Sequence, residues 1–391
     1  MKTSLQMLAL FCVLTQGAQS QACLPTSALG GAQAAPSLAA PTARALTLTF
    51  GETKSGAELL LPASPRPAPL VLLIQGTGPE DRDGRYVVGG QIVPGSLGAL
   101  AQSLARQGFA VMRFDKRYAA ATFAPATAPA AFQNYAKLTL KDLLSDARTA
   151  LNVAKAQPGV DGSRVFVYGW SEGSVIAAAL APEAGARGLI VQGPVVDSFA
   201  ATFTEQFATV GLKYLRPYAK GGEIDLAGVL AALSGSGSPL AKMQASLLFS
   251  LDSTPQQPKL STVLDTDRNG KIDLEREALP TMRALYPQVL SQSPLYTGAG
   301  TLPTLATLAP QLKLPVLILQ GENDGNVAAS YARQLDAALT KAGSRAHTLK
   351  LYPGLGHSLG RAPDITQDTF APMEAAPMND MAAWMRARLG R

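Results

Sequence analysis

Histidine and cysteine are the rarest chemically active residues in this 391-residue chain, with two copies of each. So few thiols exclude a disulfide-stapled scaffold or a cysteine-rich zinc module. Cys12 falls in an N-terminal apolar stretch, which leaves Cys23 without an internal partner. Charge is also sparse: Asp, Glu, Lys and Arg make up 16% of residues, and the net charge of +6 is spread without a Lys/Arg run. A chain with no basic run or basic helix face lacks the electrostatic footprint of a nucleic-acid binder. Nor does any apolar run have the length a transmembrane helix needs. What the chain does have is 47% hydrophobic residues, 36 glycines and 28 prolines. That composition describes a large buried core joined by tight turns, and the length suits one α/β domain carrying an insertion.

Lys2, the apolar stretch Met7 to Thr15 and the small residues Gly17 to Ser20 read as an export signal over residues 1–22. This predicts a secreted or periplasmic protein. Cleavage after Ala22 would expose Cys23 and allow a lipid anchor, but Ser20 stands where lipoproteins usually carry Leu, which favours simple secretion. Residues 23–44, rich in Ala, Pro, Ser and Thr, read as a flexible lead-in. A hairpin (Ala45 to Phe50, Glu58 to Leu61) and a continuous apolar strand (Pro69 to Ile74) open the folded part. Strands and helices then alternate, which calls for a mostly parallel central sheet covered by helices on both faces. Residues 45–195 form the first part of this core and 307–391 the second. Between them, residues 196–306 lose the strand signal and carry short helical stretches, a helical cap inserted at the strand ends where it would roof a pocket. The Ala/Thr/Pro-rich segment Ala119 to Pro129 reads as a surface loop.

The strongest motif is Gly169-Trp170-Ser171-Glu172-Gly173, preceded by the strand pattern Val165 to Tyr168 and followed by an Ala/Val-rich helix. A sharp strand-to-helix turn crowds the positions two residues either side of the serine, and glycine at both relieves it. Ser171 is the candidate nucleophile. A serine hydroxyl needs a base, and the chain offers two imidazoles. His347 begins an alternating strand, whereas His357 sits just past it in a glycine-rich loop, so His357 is the expected base. The orienting acid should fall between serine and histidine. Asp324 lies past the buried-type strand Pro315 to Gln320 with Gly325 beside it, and is preferred over Glu322. Donors for a developing oxyanion are expected from the amide of Glu172 and from Gln75-Gly76-Thr77-Gly78-Pro79, where Thr77 comes ahead of Gly78.

Together these residues resemble the α/β-hydrolase superfamily and, within it, bacterial serine-aminopeptidase-like esterases. The narrower marks are Gly76-Thr77-Gly78-Pro79-Glu80-Asp81-Arg82-Asp83-Gly84 and Phe114-Asp115-Lys116-Arg117. The resemblance implies the α/β-hydrolase fold and hydrolysis of carboxylic esters with short to medium acyl groups, with no organic cofactor. Three positions depart from it: Gln75 and Trp170 stand where His is common, and Ser174 stands where glycine is common. Arg82, Asp83, Asp115 and Arg117 read as a structural ion-pair network.

A second motif lies in the cap. Asp265, Asp267, Asn269, Lys271 (through its carbonyl) and Asp273 fall at the ligand spacing of an EF-hand loop, with Gly270 at the bend. Position twelve is Arg276, so Glu275 or Glu277 must supply the last carboxylate, and Glu275 is taken with the others as the expected set for a structural calcium ion. The reading is an exported serine hydrolase acting on a small-molecule ester. A serine exopeptidase acting on short peptides, and a noncatalytic calcium-dependent binding protein on the same scaffold, are the alternatives.

Overall fold

The computed structural model describes residues 40–88 and 91–390. The expected export signal, Cys23 and most of the lead-in lie outside the described residues. Eight strands form the central sheet: β1 (Thr42–Phe50), β2 (Thr53–Leu61), β3 (Ala68–Ile74), β4 (Ala110–Phe114), β5 (Val160–Trp170), β6 (Gly188–Gln192), β7 (Val316–Gly321) and β8 (His347–Tyr352). Their order across the sheet is β1-β2-β4-β3-β5-β6-β7-β8. β2 pairs antiparallel with β1 and with β4, and the remaining pairs are parallel. The first strand begins at Thr42, three residues before the expected Ala45, because its pairing with β2 runs on to Leu61.

Parallel strands need crossover helices, and these cover both faces. Helices α1 (Leu97–Arg106), α2 (Leu140–Lys155) and α3 (Gly173–Glu183) follow β3, β4 and β5 in the chain. α2 and α3 bury Leu143, Ala147, Leu151, Ile176 and Leu180 against one face. α1 buries Leu97, Leu100 and Leu104 on the other, where the C-terminal helix contributes Met381 and Trp384. Strand β3 sits between these layers with all seven residues buried, as its unbroken Ala-Pro-Leu-Val-Leu-Leu-Ile run requires. At roughly 1.5–3 kcal/mol for each fully buried large apolar side chain, this strand is a major source of the sheet's stability.

Between β6 and β7 the chain leaves the sheet. It forms α4 (Phe199–Gln206), which continues through a wider turn at Phe207–Gly211, then α5 (Leu226–Ser234), α6 (Pro239–Ser246) and α7 (Leu279–Leu290). Ser198, Asp225 and Ser238 each accept a backbone N–H in the first turn of α4, α5 and α6. The insertion has its own core of Phe207, Val210, Leu215, Val229, Leu248 and Met282. It also contains a two-residue antiparallel ribbon, Ile272–Asp273 on Glu223–Ile224, too short to leave a strand signal. The chain rejoins the sheet at β7, followed by α8 (Ala329–Lys341), β8 and α9 (Ala375–Arg386).

One loop expectation fails. Ala119–Thr122 and Ala128–Tyr135 are helical, because alanine is the best helix former and Pro129 falls in the first turn, where its missing N–H costs nothing. Among the described residues no helix is long and apolar enough to cross a membrane.

Candidate active site

Strand β5 ends at Trp170, and Ser171 takes a left-handed backbone with φ of 55° before α3 begins. A non-glycine residue tolerates this only when its surroundings hold it there. Three contacts do so: the Ser171 amide donates to the Gln192 carbonyl at 2.9 Å, Ser174 Oγ donates to the Ser171 carbonyl at 2.5 Å, and the Val195 amide donates to Ser174 Oγ at 3.1 Å. Ser174, a departure from the resemblance, thus ties the turn to the loop after β6. A Cβ at Gly169 would lie 2.2 Å from the Gly173 carbonyl, and one at Gly173 would lie 2.4 Å from that of Gln75. Neither position has room for a side chain.

The other two predicted groups arrive on loops at the same end of the sheet. His357 Nδ1 lies 2.8 Å from Asp324 Oδ2, with both residues buried. Asp324 Oδ1 accepts from the amides of Asn326 and Val327, each at 2.8 Å, and Oδ2 also accepts from Gln320 Nε2 at 2.9 Å. A carboxylate with this many hydrogen bonds is held in one orientation. The imidazole is anchored through its backbone: the His357 carbonyl accepts from Trp170 Nε1 at 3.0 Å and Gln192 Nε2 at 2.9 Å, and its amide donates to Asp368 at 2.7 Å. Trp170 also packs against the imidazole, ring centroids 5.3 Å apart and planes tilted by 39°. Glycine is required at 193, where a Cβ would meet the imidazole at 2.8 Å.

The alternatives lie elsewhere. His347 contacts Thr340 and Asp336 on α8, and Glu322 makes an exposed pair with Arg333.

Ser171 and His357 both line a cavity of about 210 Å³. Its walls are mostly apolar. Tyr86, Val93 and Phe132 contribute from the sheet domain, and Phe199, Phe203, Leu240 and Met243 from α4 and α6 of the insertion. Thr77 and Gly78 line it too. A Cβ on Gly76 would meet the Ser171 Cβ at 3.3 Å, so this loop lies directly against the serine. The Glu172 amide follows Ser171 at the start of α3, where helix N–H groups have no intrahelical acceptor.

Behind this wall lies a buried charged cluster. Lys116 Nζ donates to the Gly76 carbonyl, and lies 3.1 Å from Glu172 Oε1 and 3.3 Å from the Tyr135 hydroxyl. The Tyr296 hydroxyl donates to Glu172 Oε2 at 2.9 Å, and Glu80 Oε2 accepts the Gly76 amide at 2.9 Å. Burial pushes the Glu80 carboxyl up to about 8, against the opposing pull of Lys116 and the Gly76 hydrogen bond. Gln75 is equally enclosed, with its amide nitrogen donating to the carbonyls of Asp81 and Phe114.

Sequence reasoning missed Glu80, Lys116 and Asp368. The first two sit inside quoted motifs, a few residues past the apolar strands that end at Ile74 and Phe114, and that position was the available signal. Asp368 has no motif; it joins the amides of His357 and Gly325, and burial beside Asp324 pushes its carboxyl up. The expected ion-pair network divides into Arg82–Asp115 at 2.7 Å, Arg117–Asp146 at 2.7 Å and Asp83–Arg113, because Arg117 turns to α2 rather than to Asp115.

In the insertion, ligand atoms of Asp265, Asp267 and Glu277 come within 4.8 Å of one another. Asp265 accepts the amides of Asn269 and Gly270, which folds the loop around it. The expected set needs correction at two acids. Glu275 points outward to Arg216 at 2.6 Å, and Asp273 caps the following turn and pairs with Arg276 at 2.7 Å. The turn after Asp273 carries Glu277, one residue past the usual position, to the loop. The Lys271 ammonium faces Glu223 at 3.1 Å, which leaves only its carbonyl for a cation.

The family model of serine aminopeptidase S33 hydrolases matches residues 93–364. Esterase EstD of Thermotoga maritima is 28% identical over 160 residues, 41% of this chain and 34% of that esterase. The match thus spans about a third of the length of that curated relative. Among solved structures, an esterase of Pyrococcus furiosus superposes with a TM-score of 0.50 at 11% identity, covering 95% of this chain and all of that one (100%). Est1E from Butyrivibrio proteoclasticus gives a TM-score of 0.45 at 15% identity, covering 89% of this chain and 99% of that one.

Proposed function

From the premise that the chain belongs to the serine aminopeptidase S33 family of α/β-hydrolases, we propose that it is an exported hydrolase of carboxylic esters with short to medium acyl chains, working through an acyl-enzyme on Ser171. The observation that carries this reading is the 2.8 Å contact between His357 and Asp324 in a cavity that the imidazole shares with Ser171. His357 takes the serine proton as Oγ adds to the ester carbonyl, while Asp324 stabilises the resulting imidazolium. The oxyanion is received by the amides of Glu172 and Thr77. Collapse expels the alcohol, which takes the proton from His357. Water deprotonated by the same imidazole then releases the acid. The insertion acts as a cap, and its apolar side chains bind the acyl chain.

The cavity wall favours an ester over a peptide with a free amino terminus. Among the described residues its one acid, Glu80, accepts a backbone amide and, with its carboxyl pushed up to about 8 by burial, is largely protonated at neutral pH. It offers no standing negative charge to an ammonium. A p-nitrophenyl ester series of increasing acyl length, set beside aminoacyl anilides, tests the choice: ester turnover should exceed anilide turnover and peak at short to medium acyl length. Ser171→Ala should abolish it by about 10⁴-fold or more. Faster anilide cleavage would transfer the reading to an exopeptidase. Silence in both assays, together with no labelling by a fluorophosphonate, would leave a binding protein.

The same reading places a structural calcium ion on Asp265, Asp267 and Glu277, supported by the EF-hand spacing and by the convergence of these three acids. Calcium should raise the Tm of the full chain and EDTA should lower it. An unchanged Tm would remove the ion from the account.

A further inference from the structure

The cluster around Lys116 addresses the peptide that carries one of the expected oxyanion donors. Lys116 donates to the carbonyl oxygen of Gly76, and the N–H of that same peptide belongs to Thr77. On the preceding peptide, the Gly76 amide is held by Glu80 at 2.9 Å. The loop is therefore fixed on both sides of Gly76, by a cation on one peptide and a carboxyl on the other. A cation on a carbonyl oxygen polarises the whole amide and strengthens its N–H as a donor. Lys116 reaches further: it lies 3.1 Å from Glu172, whose own amide is the other expected donor. Lys116 and Glu172 are both buried, so little solvent screens these interactions.

We propose that Lys116 is a positioning residue of the oxyanion site, aligning and polarising the Gly76–Thr77 peptide so that both donor amides stand ready before substrate arrives. Lys116 does not touch the substrate. It acts through the backbone, in the transition state more than in the ground state, so its loss should lower kcat and leave KM nearly unchanged. This rests on the acyl-transfer reading above.

Removing Lys116 alone would leave the Glu172 carboxylate buried without its cation, which threatens the fold. Lys116→Met combined with Glu172→Gln removes both charges and nearly preserves their volumes. Active sites are counted by fluorophosphonate labelling, and kcat is expressed per labelled site. The double variant should lose about 10- to 100-fold in kcat, somewhat less than removal of a donor itself, with KM within about twofold. Its affinity for an alkylboronic acid, whose tetrahedral adduct places an oxygen where the oxyanion forms, should fall in proportion. Lys116→Arg, which keeps the cation and the Glu172 pair, should recover a measurable part of kcat. Wild-type kcat per labelled site in the double variant would overturn the proposal. So would a loss confined to KM with boronic acid affinity intact, or an Arg variant no better than the double. A wild-type chain that neither turns over esters nor reacts with the probe would instead sink the acyl-transfer reading, and this inference with it.

Discussion

The floor and the roof of the cavity are built by opposite means. On the floor, every group with a proposed chemical role is held by several directional contacts at the strand ends: Asp324 by four hydrogen bonds, the His357 backbone by three, and the Ser171 turn by a chain of polar contacts reaching β6. The roof presents Phe199, Phe203, Leu240 and Met243, held mainly by apolar packing, and its polar ties to the sheet domain include the Tyr296–Glu172 hydrogen bond behind the cavity. Gln206 donates to the Asn326 carbonyl at 3.1 Å, the Ser238 amide donates to the Thr366 carbonyl at 2.8 Å, and Lys213 pairs with Asp364. Proton transfer demands fixed distances, and hydrogen bonds to buried backbone supply them. An acyl chain needs only a volume of suitable shape, which apolar packing supplies with more tolerance.

The contrast breaks most sharply at Asp324. Asp324→Asn keeps the shape of the floor but favours the wrong imidazole tautomer, so kcat should fall by about 10³- to 10⁴-fold with Tm little changed. A loss below about tenfold in steady-state kinetics would mean the floor is not the chemical half. On the roof, Phe203→Ala should change kcat/KM for any one ester by about tenfold or less while moving the preferred acyl length upward. An unaltered chain-length profile would separate the insertion from specificity. The smallest effect concerns the buried wall between the two halves. Burial, helped by Glu172 and Asp81 and opposed by Lys116 and the Gly76 hydrogen bond, raises the Glu80 carboxyl from the ordinary 4.5 to about 8, so the folded state binds its proton more tightly. Its contribution to stability is therefore full below about pH 4.5, falls as pH rises, and is gone above about pH 8. Glu80→Gln keeps the acceptor for Gly76 without titrating, so Tm measured from pH 5 to 8 should decline less steeply than in the wild type. Parallel curves would show that Glu80 does not set this slope.

The floor was legible in the sequence wherever local crowding writes a rule. Gly169 and Gly173 flank Ser171 because no Cβ fits there, and the buried strands β3 and β7 and the Val165–Tyr168 part of β5 read as apolar runs. Scarcity of histidine narrowed the base to two candidates. The Lys116–Glu172 contact was not legible, because strand order brings together residues 56 apart and no periodicity records it. Asp368 acts through backbone amides on two other loops, a role any sequence around it would allow. In the insertion, the choice of Glu277 over Glu275 turned on a single helical turn after Asp273, and spacing alone does not set its phase.

The grip of Trp170 and Gln192 on one carbonyl has a mechanical meaning. The last residues of two adjacent strands hold His357 by its main chain, and one of those residues immediately precedes Ser171. In the proposed mechanism the acceptor and the donor of the proton are therefore anchored to one support, the paired ends of β5 and β6.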